Sequence, residues 1–385
     1  MVLGSNKKVL GMTVLIIIIL SSIKLLSVTD SVETVTDNYV IADKVNDSII
    51  SWYLNGSKEL NIFENDYNAW RGELPSVNSS IKINEPNIKM DENKSTIVAV
   101  LDSDIDIYHT LDNKKIWVNN GEIEGDDIDN DGNGFIDDYY GWNFYDNNNK
   151  VFNKVNHGIH GTYISSLLIG KDEENNFEGL AYDYSVNIMC IKVLSSANES
   201  GNVESLIHGI QYAEKMGATI CSLSLASPFD YSELKQTIEN SSMLFVVAAG
   251  NDGIELGSSY LVYPACYNFD NIITVADLRC DGKLSRSSNY GKDYVDIAAP
   301  GSDIVGMIPN GNFVYISGTS SATAIVAGAA AIVRNMSRDD MSANAIKKVL
   351  LDNSKVTDEL MNIVYSNGYL DITNSINNFK KEEVK

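Results

Sequence analysis

The sequence predicts an α/β fold, a parallel sheet covered by helices on both faces, and three observations carry that expectation. From Ser95 onward, apolar runs of strand length alternate with segments of helix length, the pattern of strands joined through crossover helices. Those runs are nearly continuous in Val, Ile, Leu and Ala rather than alternating with polar residues, as strands buried on both faces are. Asp102 and Asn251 follow the carboxyl ends of two such runs, where sheets of this kind place their chemistry.

Taken in order, Thr96 to Leu101 reads as the first strand, ending at Asp102. His160 to Leu168, opened by Gly161 and rich in small residues, reads as a helix. Val186 to Leu194 predicts a strand, Val203 to Met216 a helix and Thr219 to Leu225 a strand. A helix over Tyr231 to Asn240 leads to the strand Met243 to Ala248, and Asn271 to Ala276 and Val295 to Ala298 add two short strands. The run Ala324 to Val333 is so dense in small apolar residues that its helix must be packed closely on most of its circumference. Ala343 to Leu351 predicts another helix.

At 385 residues and 44% hydrophobic, the chain can bury one large core or two ordinary ones. A net charge of -23 argues against nucleic acid and against binding anionic lipid through surface charge, since phosphates are repelled. The four cysteines, Cys190, Cys221, Cys266 and Cys280, show no C-x-x-C spacing and read as buried thiols rather than a disulfide framework. Lys7 and Lys8 precede the uncharged run Val9 to Ile23, which has the length of a secretory signal core, while a snorkelling Lys24 would extend it into an anchor reaching Val28. Residues 1–28 are therefore expected to be a signal peptide or a retained membrane anchor, and either would place the remainder outside the cytosol, secreted or held at the outer face of the membrane. Residues 29–94 are polar and acidic, with Pro75 and Pro86, and read as an N-terminal extension serving as pro-segment or linker. Residues 95–379 form the main domain and 380–385 a charged tail.

Ser320 stands where the small-residue helix begins. A hydroxyl there lies among backbone N–H groups at the positive end of a helix dipole, suited either to capping or to chemistry on a developing oxyanion. Of four histidines, His160 alone has distinctive neighbours, in His160-Gly161-Thr162. Asp102-Ser103, His160-Gly161-Thr162, Ala249-Gly250-Asn251 and Gly318-Thr319-Ser320 together resemble the signature segments of the subtilisin-like serine peptidases, in the chain order Asp, His, Ser. The resemblance spans roughly Ser95 to Asn377 and implies the subtilisin-like fold, a monomeric enzyme and an endopeptidase activity on polypeptides. It implies Ser320 as nucleophile, His160 as its base, Asp102 as the carboxylate orienting the imidazole, and Asn251 with the Ser320 N–H as oxyanion donors.

The chain departs from the family pattern in places. Asp104 replaces a glycine two residues after Asp102, and its side chain is expected to face solvent; buried, it would raise the proton affinity of Asp102 and His160. Ser321 and Ala324 replace the usual Met and Pro after the nucleophile, and loss of the thioether predicts resistance to peroxide. Tyr163, Ser165 and Ser166 replace His, Ala and Gly and read as packing changes.

For the substrate, the resemblance implies that Ser224, Leu225 and Ala226 pair with an extended peptide from one side and Ser200, Gly201 and Asn202 from the other. Ala226 and Val262 stand where glycines often line the pocket before the scissile bond, which predicts a shallower pocket for small or medium apolar residues. The acidic stretch Asp126 to Asp138 puts Asp127, Asp129, Asp131, Gly132 and Asp138 at positions 1, 3, 5, 6 and 12 of a calcium loop, with Asn133 among the expected ligands. Crowded carboxylates repel unless a cation lies among them, so a structural calcium is expected. Some members carry a similar Asp-Gly-Asn-Gly segment ahead of Tyr-Gly-Trp, present here as Tyr140-Gly141-Trp142, whereas Leu111 stands where another calcium-binding aspartate is common.

Two other classes remain to be weighed. A catalytically silent member acting by binding is disfavoured by the complete set of catalytic residue types. A metal-dependent hydrolase built on the acidic loop lacks histidine ligands.

Overall fold

The computed structural model describes residues 95–383 apart from 154–158, 176, 198 and 338–339, together with 16–17 and 41–42. The segments expected as leader or anchor and as extension therefore lie almost wholly outside the described residues.

Among the described residues, twelve strands and six helices organise the domain, beside a small antiparallel hairpin of Lys171–Asp172 and Phe177–Glu178. They run β1 (Thr96–Asp102), β2 (Gly141–Asn143), α1 (His160–Ile169), β3 (Val186–Lys192), β4 (Ser200–Gly201), α2 (Val203–Lys215), β5 (Ile220–Leu223), α3 (Ser232–Glu239) and β6 (Leu244–Ala248). Then come β7 (Ile272–Leu278), β8 (Ile297–Pro300), β9 (Ile304–Ile308), β10 (Asn312–Ile316), α4 (Thr319–Met336), α5 (Ala343–Asp352), β11 (Lys355–Val356), β12 (Gly368–Tyr369) and α6 (Ile372–Glu383).

Nine strands form one sheet in the order β11-β12-β8-β7-β6-β5-β1-β3-β2, all parallel except the β11 and β12 pair. The chain leaves β1 for β3 on one side and returns through α2 to β5 on the other, so the strand order reverses around β1. The carboxyl end of β1, carrying Asp102, thus opens at a switch point of the sheet, where no crossover fills the space above the strands. On one face α1, α4, α5 and α6 cover a cluster that includes Val98, Val100, Ile188, Val246 and Val275. On the other face α2 and α3 cover Ala99, Leu101, Met189, Ile191, Phe245 and Val247. Alternate residues of each strand thus enter opposite cores, which is why the runs read as continuously apolar. The fold class expected from the sequence is the one observed.

Boundaries shift by a residue or two from expectation, and some short pieces escape the pattern altogether. β2 is only three residues long, too short to show periodicity. The antiparallel hairpin β9 and β10 turns at Pro309-Asn310-Gly311, with Asn310 and Gly311 in the left-handed region at φ 68° and 73°. That turn chemistry is visible in the sequence, but flanking strands of which one is interrupted by Gly306 and the other begins at Asn312 conceal the pairing. Outside the domain, Ile41–Ala42 pairs antiparallel with β10, and Ile16–Ile17 pairs antiparallel with β4.

Candidate active site

Asp102 ends a strand with buried apolar neighbours, so its carboxylate needs polar partners to be tolerated there. It is 1% exposed, and the Ser103 N–H donates to its Oδ1 at 2.6 Å. His160, the first residue of α1 and fully buried, places Nδ1 2.8 and 2.9 Å from the two carboxylate oxygens. This close approach of helix and strand depends on Gly161: a Cβ there would lie 2.7 Å from the Asp104 carbonyl oxygen and 2.9 Å from that of Ser103. A carboxylate facing Nδ1 assigns the ring proton to that nitrogen, which leaves Nε2 as the basic one. Nε2 has no hydrogen-bond partner among the described residues. Burial opposes a charged ring, but the charge and hydrogen bond of Asp102, with the charge of Glu199 behind them, outweigh it and hold the imidazole up to about 9.

Ser320 is the second residue of α4, buried, and Gly318 at the cap position has no side chain to offer the helix start. The Ser320 N–H is one of the first-turn donors that have no carbonyl four residues back. Thr319 is occupied elsewhere: its N–H and Oγ1 both donate to Asn251 Oδ1, at 2.9 and 3.0 Å. With Oδ1 engaged in this way, donation from Asn251 to a ligand falls to Nδ2. The two helix starts are tied together one turn on, where Tyr163 Oη and Ser321 Oγ are 2.8 Å apart.

The turn that presents Asn251 is held by Asn289, which the sequence reading missed. Asn289 Nδ2 donates to the Ala249 carbonyl at 3.0 Å, while its Oδ1 accepts from Asp252 N–H at 3.0 Å and Ile254 N–H at 3.1 Å. Gly250, at φ 97°, is needed here, since a Cβ would lie 2.5 Å from Asn289 Nδ2. Asn289 stands in an unremarkable Ser-Ser-Asn-Tyr stretch, and no local signal marks it.

The expected substrate residues divide. Ser224 Oγ donates to the Ser320 carbonyl at 3.3 Å, which places the segment after β5 against the start of α4. Reciprocal backbone bonds of 2.8 and 2.7 Å between Ser227 and Tyr263 bring the segments of Ala226 and Val262 together, and both side chains are buried in one cluster with Leu225. Ser200, half-buried, and Gly201, buried, form the two-residue strand β4. Asn202, the next residue, caps α2 with its side chain, its Oδ1 accepting the Ser205 N–H at 2.8 Å. An asparagine just before an amphipathic helix satisfies an orphan donor there.

Two further expectations need correction. Asp104 does not face solvent: it is fully buried, with Lys192 Nζ 3.3 Å from its Oδ2. Lys192 lies 88 residues away in an apolar strand, so the pairing could not be seen locally. In the acidic loop, Asp129 and Asp131 come together with Glu122, a residue outside the expected set; one carboxylate oxygen from each lies within 4.8 Å of the others. Asp138 is instead buried under donors, from Tyr212 Oη at 2.6 Å, Asn119 Nδ2 at 2.8 Å and Asn133 Nδ2 at 3.0 Å. Asp127 is exposed at φ 59°, and Asn133 Oδ1 accepts the Phe135 N–H at 2.8 Å. Short Asx turns at Asp126, Asp131 and Asn133 run through the loop. Cys190, Cys221 and Cys266 are buried thiols, and burial pushes all three above the usual range, Cys266 to about 11.

A model of the subtilase family matches residues 93–369. The chain belongs to the subtilase family. This subtilase is 32% identical over 318 residues to the major intracellular serine protease of Bacillus subtilis, covering 78% of the chain and 88% of that relative. It is 34% identical over 204 residues to the intracellular serine protease of Paenibacillus polymyxa, covering 50% of the chain and 61% of the relative. Thermitase of Thermoactinomyces vulgaris is 34% identical over 209 residues, 53% of the chain and 70% of the relative. Among solved structures, a subtilase cytotoxin SubAB assembly matches with a TM-score of 0.61 at 22% identity over 76% of this chain and 92% of that one. The prenylagaramide maturation protease PagA matches at 0.56 and 23% over 75% and 95%, and both support the fold alone. The protein is thus a subtilase family serine protease acting on polypeptides. The expected extracytoplasmic location is overturned by the relatives, two of which are named intracellular proteases. Among the described residues no helix is long and apolar enough to cross a membrane. The expectation rested on charge and length in residues 1–28, which are features that many buried or packed apolar segments share.

Proposed function

We propose that this subtilase is a serine endopeptidase in which Ser320, His160 and Asp102 act as a triad on an extended polypeptide. One observation carries the reading: His160 is clamped to Asp102 through Nδ1 while its buried Nε2 has no partner among the described residues. A histidine serving only to pack would be expected to satisfy both nitrogens. In the proposed reaction Ser320 Oγ attacks the scissile carbonyl carbon as His160 Nε2 takes its proton. The resulting oxyanion accepts from the Ser320 N–H and Asn251 Nδ2, and a donor of the latter kind contributes about 3 kcal/mol in comparable sites. His160 then returns the proton to the leaving amine, and water, deprotonated by the same nitrogen, releases the acyl group from Ser320. Asp102 keeps the ring in the required tautomer throughout.

Substrate would lie between β4 and the Ser224–Ala226 segment, adding a strand through main-chain hydrogen bonds. In support, β4 already accepts an antiparallel strand, Ile16 opposite Gly201 and Ile17 opposite Ser200. Residues 29–94 fit a pro-segment in this reading, and the chain works as a monomer. A specific precursor polypeptide is the substrate class we favour over bulk protein, because a pocket narrowed by Ala226 and Val262 restricts the residue accepted there.

Calcium belongs to the same reading. Glu122, Asp129 and Asp131 offer only carboxylate oxygens, the donors a hard cation prefers, and backbone N–H groups orient each of them. The ion would stabilise the loop and take no part in bond cleavage.

A fluorophosphonate probe tests the proposal. Label should appear on Ser320, and be lost in Ser320→Ala and strongly slowed in His160→Ala. Folded protein that takes no label at Ser320 would be a silent family member.

A further inference from the structure

A strand that clamps substrate must be held at a fixed distance from the base. In this chain the root of that strand is gripped by a buried charge. Lys192 ends β3 directly beside Asp102, its register partner on β1, and is 1% exposed. Its Nζ donates to the Leu194 carbonyl at 2.6 Å, to Ser196 Oγ at 3.0 Å and to Asp104 Oδ2 at 3.3 Å, and lies 5.6 Å from the centre of the Tyr145 ring. Asp104 is fully buried too, and its Oδ1 accepts the Asn153 N–H at 2.9 Å.

From Leu194 the chain doubles back. The Ser195 N–H donates to the Ser200 carbonyl at 2.8 Å, the Glu199 N–H to the Ser195 carbonyl at 3.0 Å, and Leu194 bridges Gly201 antiparallel. One ammonium therefore joins the end of the catalytic strand, through Asp104, to the base of the hairpin whose outer arm is β4. A buried lysine is tolerated only when its charge is matched and its donors are used, and both conditions are met here. Asp104, where the family pattern has glycine, supplies the matching charge.

We propose that Lys192 and Asp104 form a positioning pair that sets the Leu194–Gly201 hairpin against Asp102 and His160, and so governs how firmly the substrate residues preceding the scissile bond are held. The inference rests on the reading of β4 as a substrate strand. Neither residue touches the reacting atoms.

The test uses the full chain and the variants Lys192→Met, Asp104→Asn and the double variant Lys192→Met/Asp104→Asn, with active sites counted by fluorophosphonate titration. Two chromogenic substrates share the residue before the scissile bond, one a tetrapeptide and the other a single acylated residue. In wild type the tetrapeptide gains over the short substrate through contacts with the hairpin. Loss of the pair should reduce that gain about tenfold, mainly through KM, with the short substrate's kcat nearly unchanged. The double variant carries no unmatched buried charge, so it folds where a single variant fails, and should show the same loss. Unchanged ratios in variants with full titratable sites would show a merely structural pair and overturn the proposal. Wild type that takes no label would instead overturn the protease reading, and this role with it.

Discussion

Tyr163 Oη and Ser321 Oγ lie 2.8 Å apart in the interior, joining the helix that opens with His160 to the residue after Ser320. Tyr163 Oη is also 3.0 Å from the Ile304 carbonyl, so it donates there and accepts from Ser321. The replacements at Tyr163 and Ser321, unrelated in the sequence, are thus one contact. Tyr163→Phe should destabilise the fold by about 1–3 kcal/mol, because it strands Ser321 Oγ and the Ile304 carbonyl, and Ser321→Ala by less, because Tyr163 Oη keeps its bond to that carbonyl. The double variant should lose less than the sum, with a coupling of about 0.5–3 kcal/mol in urea unfolding. Simple additivity would show that the contact is not formed.

Ser321 also bears on oxidation. The residue directly after Ser320 carries no thioether, so millimolar peroxide should leave fluorophosphonate-titratable sites intact, and Ser321→Met should make activity peroxide-sensitive. Equal loss in both proteins would place the sensitive group elsewhere.

The pH dependence follows from His160. Only the neutral ring can take the Ser320 proton, so kcat/KM should rise with pH through a midpoint displaced from the ordinary 6.5 toward about 9. The stability linkage has the opposite sense. A folded value raised above the unfolded one stabilises fully below the unfolded value, and that contribution is lost as pH rises through about 9. Asp102→Asn should bring the kinetic midpoint down and lower kcat steeply. A wild-type midpoint at or below 6.5 would contradict the assignment.

Chelation tests the acidic loop. Calcium should raise the thermal midpoint in a concentration-dependent way, as binding to the native state alone requires. Glu122→Gln, Asp129→Asn or Asp131→Asn should abolish the shift, whereas Asp127→Asn, at an exposed position outside the cluster, should preserve it. An unaltered response in Glu122→Gln would exclude Glu122 as a ligand.

Cleavage preference reports on Ala226 and Val262. In matched peptides, Ala or Val before the scissile bond should be preferred over Phe, and Ala226→Gly should narrow the difference. One methylene in such a pocket counts for about 1–3 kcal/mol. Cleavage after Phe as fast as after Ala would refute the filled pocket.

The continuous apolar runs from Thr96, Val186 and Leu244 determine a sheet buried on both faces, because no other arrangement hides such strands. The residue types around Asp102, His160, Asn251 and Ser320, and their order along the chain, were equally legible there, because backbone geometry restricts those turns to a few residues. Gly161 and Gly250 show that restriction directly, as a Cβ at either would collide with its neighbours. The partners of those residues were decided only by the tertiary structure. Lys192 beneath Asp104, Asn289 behind Asn251, Tyr163 against Ser321, and Glu122 among the loop aspartates are all contacts between elements whose sequence separation carries no local signal. A buried charge or hydroxyl must find a partner somewhere, and the packed fold alone determines which one lies within reach.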